Sequence, residues 1–149
     1  MAGRGTSIHR MSRSALLAFL RRHRLAVVAT VSSQNGPQAA VVGFAVTDAL
    51  ELVFDTLGDT RKAANLRRDG RIAMVIGWDE AQTAQLEGAA DEPAGSELAD
   101  LQSCYFDVFP DGRQRLAWPG ITYFRIRPHW IRISDFRGPT PLIEELDLR

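Results

Sequence analysis

Lysine is almost absent from this chain: of its 149 residues 17 are arginine and one, Lys62, is lysine. Such an arginine bias is what a GC-rich genome produces. A lone lysine against it stands out as a residue kept for its compact ammonium, which approaches phosphate as a point charge. Cysteine is nearly absent too. Cys104 alone excludes an intrachain disulfide and fits a reducing, cytoplasmic compartment; at the end of a predicted helix it reads as a small buried hydrophobe. No apolar run approaches the roughly 18 residues needed to span a bilayer, so no membrane segment is expected, and the longest runs, 25–31 and 38–46, read as buried strands. His9, His23 and His129 are far apart and show no metal-ligand spacing, so no metal site is assigned. No GxSxG or Ser-His-Asp constellation is present.

Acidic residues are missing from one end. Residues 1–47 hold six arginines and no acid, while the remaining 102 carry 18 acidic and 12 basic side chains. An acid-free, arginine-rich start resembles a transit peptide or a nucleic-acid arm. Several of those arginines, however, lie on the polar face of the first predicted helix, and the acidic remainder argues against a continuous basic face, so no nucleic acid is expected. Residues 1–11 read as a flexible basic tail. What is present is ordinary for a globular protein: 45% hydrophobic and 24% charged residues, enough for one domain or one subunit of a small oligomer.

Taken in order, residues 12–24 open on Ser12 as a helix cap, with Leu16, Leu17, Phe19 and Leu20 on one face. Two β-branched runs, 25–31 and 38–46, flank Asn35-Gly36-Pro37 and form a hairpin with a long loop. A turn at Thr47-Asp48-Ala49 leads to a strand over 50–55. A helix over 60–69, stopped by Asp69-Gly70, precedes strands at 71–78 and 83–91. A second helix is predicted from Ser96 to about Phe106, then an irregular stretch over 108–120. Strands over 121–127 and 129–134 follow, with a tail over 137–149. The fold class is mainly β with flanking helices, α+β, and a meander of this length tends to close so as to remove its edges. The expected architecture is a small antiparallel barrel of six to seven strands.

The stretch 52–76 organises the chain: a strand, a polar turn, a helix opened by Thr60-Arg61-Lys62, and another strand. Unpaired N–H groups at a helix start, joined by two adjacent cations, are a compact way to hold a phosphate. The alternative is a solvated first turn, in which cations oppose the helix dipole.

The order AVVATV, NGP, VVGFAV, LVFDT, TRKAANLRRDGRIAMVI, QLEGAA and RIRPHWIRIS resembles the pyridoxamine 5'-phosphate oxidase-like family of FMN-binding split barrels over residues 12–136, most specifically in the T-x-x-x-T-R-K-A-x-N-L segment from Thr56 to Leu66. The resemblance implies a homodimer with FMN at the subunit interface. It implies that Arg61 and Lys62, with Thr60 and the helix N-terminus, grip the FMN phosphate. The backbone of Val41, Val42 and Gly43 would face the isoalloxazine edge, and Gly43 would let a flat ring approach, its alternative being a bulge or barrel bend. Phe54, Asp55 and Thr56 would line the third strand's contribution, and Thr83 or Gln85 would reach the flavin or its ribityl chain. Trp118, in a Pro-Gly loop, is expected over the pocket, whereas Trp78 and Trp130 are expected to pack in the core or a dimer contact. The family's vitamin B6 oxidases carry cations on the second strand and a histidine near the C-terminus. Here that strand is uncharged and residues 132–137 lack the histidine, so pyridoxamine phosphate is not the expected substrate. The implied activity is an FMN-dependent oxidoreductase taking hydride from a reduced nicotinamide or small-molecule substrate. The alternatives are a non-catalytic flavin module and a split barrel for deazaflavin or haem.

Overall fold

The structure, a computed structural model, describes residues 7–149. In chain order it contains β1 (Ile8–Arg10), α1 (Arg13–Arg21), β2 (Leu25–Val31), β3 (Pro37–Gly43), β4 (Ala45–Val46), β5 (Leu52–Leu57), α2 (Arg61–Arg68) and β6 (Arg71–Ile76). There follow β7 (Gln82–Asp91), α3 (Gly95–Val108), α4 (Gly112–Arg115), β8 (Ile121–Asp135) and β9 (Leu142–Asp147).

Alternation decides the layering, because successive strand side chains point to opposite faces. Ala26, Val28 and Thr30 of β2, Ile72, Met74 and Ile76 of β6, and Leu52, Phe54 and Thr56 of β5 all turn inward and are buried. Ile131 and Ile133 of β8 join them, and Leu16, Phe19 and Leu20 of α1 cover one end. Pairing runs β3-β2-β6-β7-β8, and β8 also pairs with β5, which pairs with β4. Only Phe44 separates β4 from β3, so β3 and β4 together close a six-position antiparallel barrel with a split between β3 and β5. The expected split-barrel architecture is therefore present. A second apolar cluster lies outside the barrel wall, where Leu101, Tyr105 and Phe106 of α3 pack on Ala45, Val53 and Tyr123.

Several boundaries differ from the sequence reading. The expected strand over 38–46 breaks at Phe44: its N–H still bonds to the carbonyl of Arg24, in register with the Leu25–Gly43 pair, and beyond it the chain leaves β2 and pairs with β5. The strand expected at 50–55 starts later because Leu50 turns the chain at φ 60°, and that expected at 71–78 stops before Gly77, at φ 72°. Segments 121–127 and 129–134 are one strand: Glu87 pairs with Trp130 and Gly88 with Pro128, so His129 is the extra residue of a bulge. The bulge accommodates a proline that cannot donate to a ladder. The tails are the larger correction. Of the basic tail over 1–11, residues 1–6 lie outside the described residues, but Ile8–Arg10 pairs in parallel with β9. The tail over 137–149 contains β9 itself, which pairs antiparallel with the second half of β8. Trp78 is 47% exposed and not part of the core.

Gly88 has no room for a side chain, since a Cβ there would strike the carbonyl oxygen of Arg127 and lie 2.9 Å from Cα of Pro128. Gly88→Ala should lower the unfolding free energy by about 1–3 kcal/mol, the usual cost of overpacking, measured by urea denaturation with an unchanged m-value.

Candidate functional site

Thr60 begins α2 with extended backbone, φ −75° and ψ 157°, and its Oγ1 accepts from the N–H of Ala63 at 3.3 Å, the standard use of a threonine cap. The same hydroxyl donates to the carbonyl of Leu57 at 2.9 Å. Its proton is thereby spent, so in the 3.2 Å contact between the two hydroxyls Thr56 is the donor. The loop ahead is braced from both sides: Gly58 N–H donates to Gly120 at 2.8 Å, and Arg67 donates to the Gly58 carbonyl at 2.8 Å while forking onto Glu92.

Nothing in the described residues accepts from the N–H of Arg61 or Lys62, and neither side chain makes an ion pair or hydrogen bond. The first turn has no acidic residue. Arg61 is exposed and Lys62 half-buried. Both line a cavity of about 340 Å³ together with Thr60 and the exposed Asp59, opposite Gln38, Ala39 and Ala40 of β3 and Val28 and Thr30 of β2. Unpaired donors, two cations and the positive end of a helix converge on one space, an arrangement suited to a phosphate or carboxylate.

Asn65 holds α2 over that space. It is 4% exposed, and its two amide protons go to Thr30 Oγ1 and Gln38 Oε1, each at 2.9 Å. Thr30 and Gln38 face one another across β2 and β3, so a single side chain ties the helix to both strands. Sequence reasoning missed all three residues. The available signal was a polar residue at the inward position of an apolar strand, Thr30, and an asparagine on the apolar face of a helix.

The remaining expected site residues are dispersed. Phe54 is in the barrel core, stacked on Phe124 at 5.7 Å, because it occupies an inward position of β5. Asp55 points outward into a polar cluster under α3, accepting from Arg115 Nε at 2.8 Å and Tyr105 Oη at 3.0 Å. Burial first, and then the Asp55 carboxylate, raise the Tyr105 hydroxyl above its ordinary pKa, and the bond to Asp55 raises the Arg115 guanidinium. Both therefore stay protonated donors. Val42 is buried, Val41 is 60% exposed on the outer wall, and the flat ring against Gly43 is that of Phe109. Thr83 and Gln85 lie on the same outer wall, Gln85 beside Val75 of β6 and Arg132 of β8; they do not line the α2 cavity. Trp118 is 52% exposed in the loop before β8 and does not line that cavity either. Cys104 borders a separate cavity of about 350 Å³ with His23, and burial raises its thiol pKa. Among the described residues no cluster of three metal-ligating side chains exists.

Fold and site together define a split-barrel protein with an anion-ready helix start at its open side. The chain belongs to the pyridoxamine 5'-phosphate oxidase family, whose pattern it matches over residues 12–135. Among solved structures, a heme binding protein from Mycobacterium smegmatis superposes with a TM-score of 0.78 at 17% identity, over 93% of this chain and 59% of the other. This chain thus spans about three-fifths of that protein. A putative pyridoxamine 5'-phosphate oxidase from Listeria innocua gives 0.68 at 23% identity, covering 81% and 96%. A pyridoxamine 5'-phosphate oxidase-related, FMN binding protein from Nostoc punctiforme gives 0.65 at 15% identity, covering 86% and 84%. These likenesses establish the fold. No curated protein matches the sequence. No helix of the described residues is long and apolar enough to cross a membrane.

Asn65→Ala strands the Thr30 hydroxyl and the Gln38 amide oxygen beside the cavity. It should destabilise the fold by about 1–3 kcal/mol, the cost of buried polar groups left unpaired, read as a lowered urea midpoint. Asn65→Asp keeps the shape, loses both donors, and should not restore stability.

Proposed function

We propose that this chain is an FMN-binding oxidoreductase acting as a homodimer, with the cofactor phosphate held at the start of α2. The observation that carries this reading is the pair of unused N–H groups and unpaired cations at Arg61 and Lys62, backed by the Thr60 hydroxyl. Bound FMN would supply hydride and electron transfer at its ring, which lets a protein act without its own catalytic acid or base. The residues present would bind and orient: Arg61 and Lys62 neutralise the phosphate, and the β3 edge, which pairs only with β2, leaves backbone donors and acceptors for a ring that is itself polar at one end. The electron donor would be a reduced nicotinamide or a reduced small molecule.

The outer wall supports the dimer. Leu25 and Val41 are 50% and 60% exposed and Val75 36%, and Val27, paired to both Val41 and Val75, lies between them. A contiguous apolar sheet face of this kind is characteristic of a subunit contact. Thr83 and Gln85 stand on that same wall, so a second copy would be the means of bringing them to the cofactor. Pyridoxamine phosphate is disfavoured as substrate. The arginines near the C-terminus are already engaged, Arg132 Nε with Glu145 at 2.7 Å and Arg137 with Asp135 at 2.8 Å, and β3 has no charge to add.

Haem is the rival suggested by the mycobacterial neighbour. An iron needs an axial ligand, and the residues lining the α2 cavity include no His, Cys, Met or Tyr. The spectrum of the purified protein decides among flavin, deazaflavin and haem. Bleaching of bound FMN by NADH or NADPH separates an enzyme from a non-catalytic module, which would stay yellow.

Arg61→Ala with Lys62→Ala removes two charge-assisted contacts worth about 1.5–3 kcal/mol each, so the FMN dissociation constant should rise at least about a hundredfold; unchanged affinity would refute the phosphate assignment. Val41→Glu puts a charge at the most exposed valine of the outer wall and should convert a dimer to a monomer in sedimentation velocity. A wild-type chain that sediments as a monomer would refute the assembly.

A further inference from the structure

The bare backbone of Gly43 is covered by a ring from the protein's own chain. A Cβ at Gly43 would lie 2.8 Å from Cζ and 3.1 Å from Cε1 of Phe109, so the phenyl group rests where any other residue of β3 would keep it away. Phe109 leaves α3 at its C-cap with φ −123° and ψ 80°, is half-buried, and stacks on Tyr105 at 4.9 Å. Tyr105 is fixed in turn by Asp55 and Arg115. Pro110, Asp111 and Gly112 follow, and Gly112 donates to the Phe109 carbonyl at 2.9 Å, which closes the backbone turn just past the ring.

One strand connects this ring to the α2 cavity. Gln38, bonded to Asn65, stands at the cavity end of β3, and Gly43 at the other end is five residues away, about 17 Å at roughly 3.4 Å per residue. A ligand whose phosphate sits at Thr60 to Lys62, with a five-carbon chain laid along the exposed edge, would carry its ring toward Gly43 and meet Phe109. This rests on the FMN reading above and deepens it. We propose that Phe109 is a specificity-determining residue, closing the ring end of the site to the size of a flavin and excluding the wider macrocycle of a haem. The phenyl group occupies the volume that a larger ring would need, and offers its face or edge to a smaller one. Selectivity of this kind comes from obstructing the unwanted ligand as much as from contacting the wanted one.

The test titrates the ligand-free full-length chain with FMN, followed by flavin fluorescence, and with haemin, followed by the Soret band. Wild type should bind FMN in preference to haemin. Phe109→Ala should weaken FMN by about three- to tenfold, the loss of one aromatic contact, and tighten haemin by about tenfold or more, while Phe109→Tyr keeps the wild-type preference. Gly43→Ala provides an independent route, because its methyl pushes the phenyl aside without removing it; the ratio should move in the same direction even where Phe109→Ala folds poorly. If wild type binds FMN and neither variant changes the FMN-to-haemin ratio, Phe109 is only packing and the inference fails while the FMN assignment stands. If wild type binds no FMN, the assignment fails and this inference with it.

Discussion

A helix that opens with two cations works against its own dipole. The first turn of α2 presents the positive end of the helix, and Arg61 and Lys62 add charge of the same sign with no acidic residue in that turn. Each such placement costs roughly 0.3–1 kcal/mol unless an anion stands in front of it. The surroundings do not relieve the conflict: the two side chains make no ion pair, although most other arginines of the described chain do. Instead they brace it. Thr60 caps the helix, Thr56 bonds to the cap, Gly120 and Arg67 fix the loop ahead of it, and Asn65 fastens the helix to β2 and β3. A rigidly held helix start whose two cations form no ion pair among the described residues is preorganised for an anion, so little of the binding free energy is lost to reorganisation.

The barrel supplies the frame for this arrangement. Its split leaves β3 with one paired edge and one open edge, directly beside the α2 cavity. An open strand edge invites pairing or aggregation unless something covers it. Here a cofactor along the strand and a second subunit on the apolar outer wall would cover it together. Such an assembly would join three otherwise separate features: an unpartnered edge, an exposed valine face, and Thr83 and Gln85 on that face, whose side chains make no hydrogen bond among the described residues. The polar cluster of Asp55, Tyr105 and Arg115 has a different task. It ties α3 and α4 to the outside of β5, and so fixes the segment that carries Phe109.

Much of this was legible in the sequence, for identifiable reasons. Strict alternation in LAVVATV and RIAMVI gives the inward set of β2 and β6 directly. The threonine cap followed by Arg61 and Lys62 marks a candidate anion site by local chemistry alone. Where reasoning strayed, a non-local fact decided. The resemblance puts Phe54 and Asp55 at the cofactor together with Thr56, whereas period-two alternation sends Phe54 into the core and Asp55 to the outer side of the wall. The parallel pairing of Ile8–Arg10 with β9 joins the two ends of the chain, and three residues carry no local signal for that. Gly43 is expected, from the resemblance, to let a flavin ring come close. The ring that does so comes from residue 109, and no spacing rule connects those positions.

The 5'-phosphate is the proposed anchor of the cofactor. The most direct measurement compares FMN with riboflavin, which share a ring and a chain and differ in the phosphate alone, by titration of the same ligand-free protein at fixed ionic strength. FMN should bind at least about a hundredfold more tightly, the equivalent of two charge-assisted contacts, and added salt should narrow the gap by screening the exposed part of the attraction. Equal affinity for the two compounds would contradict the phosphate's role as anchor.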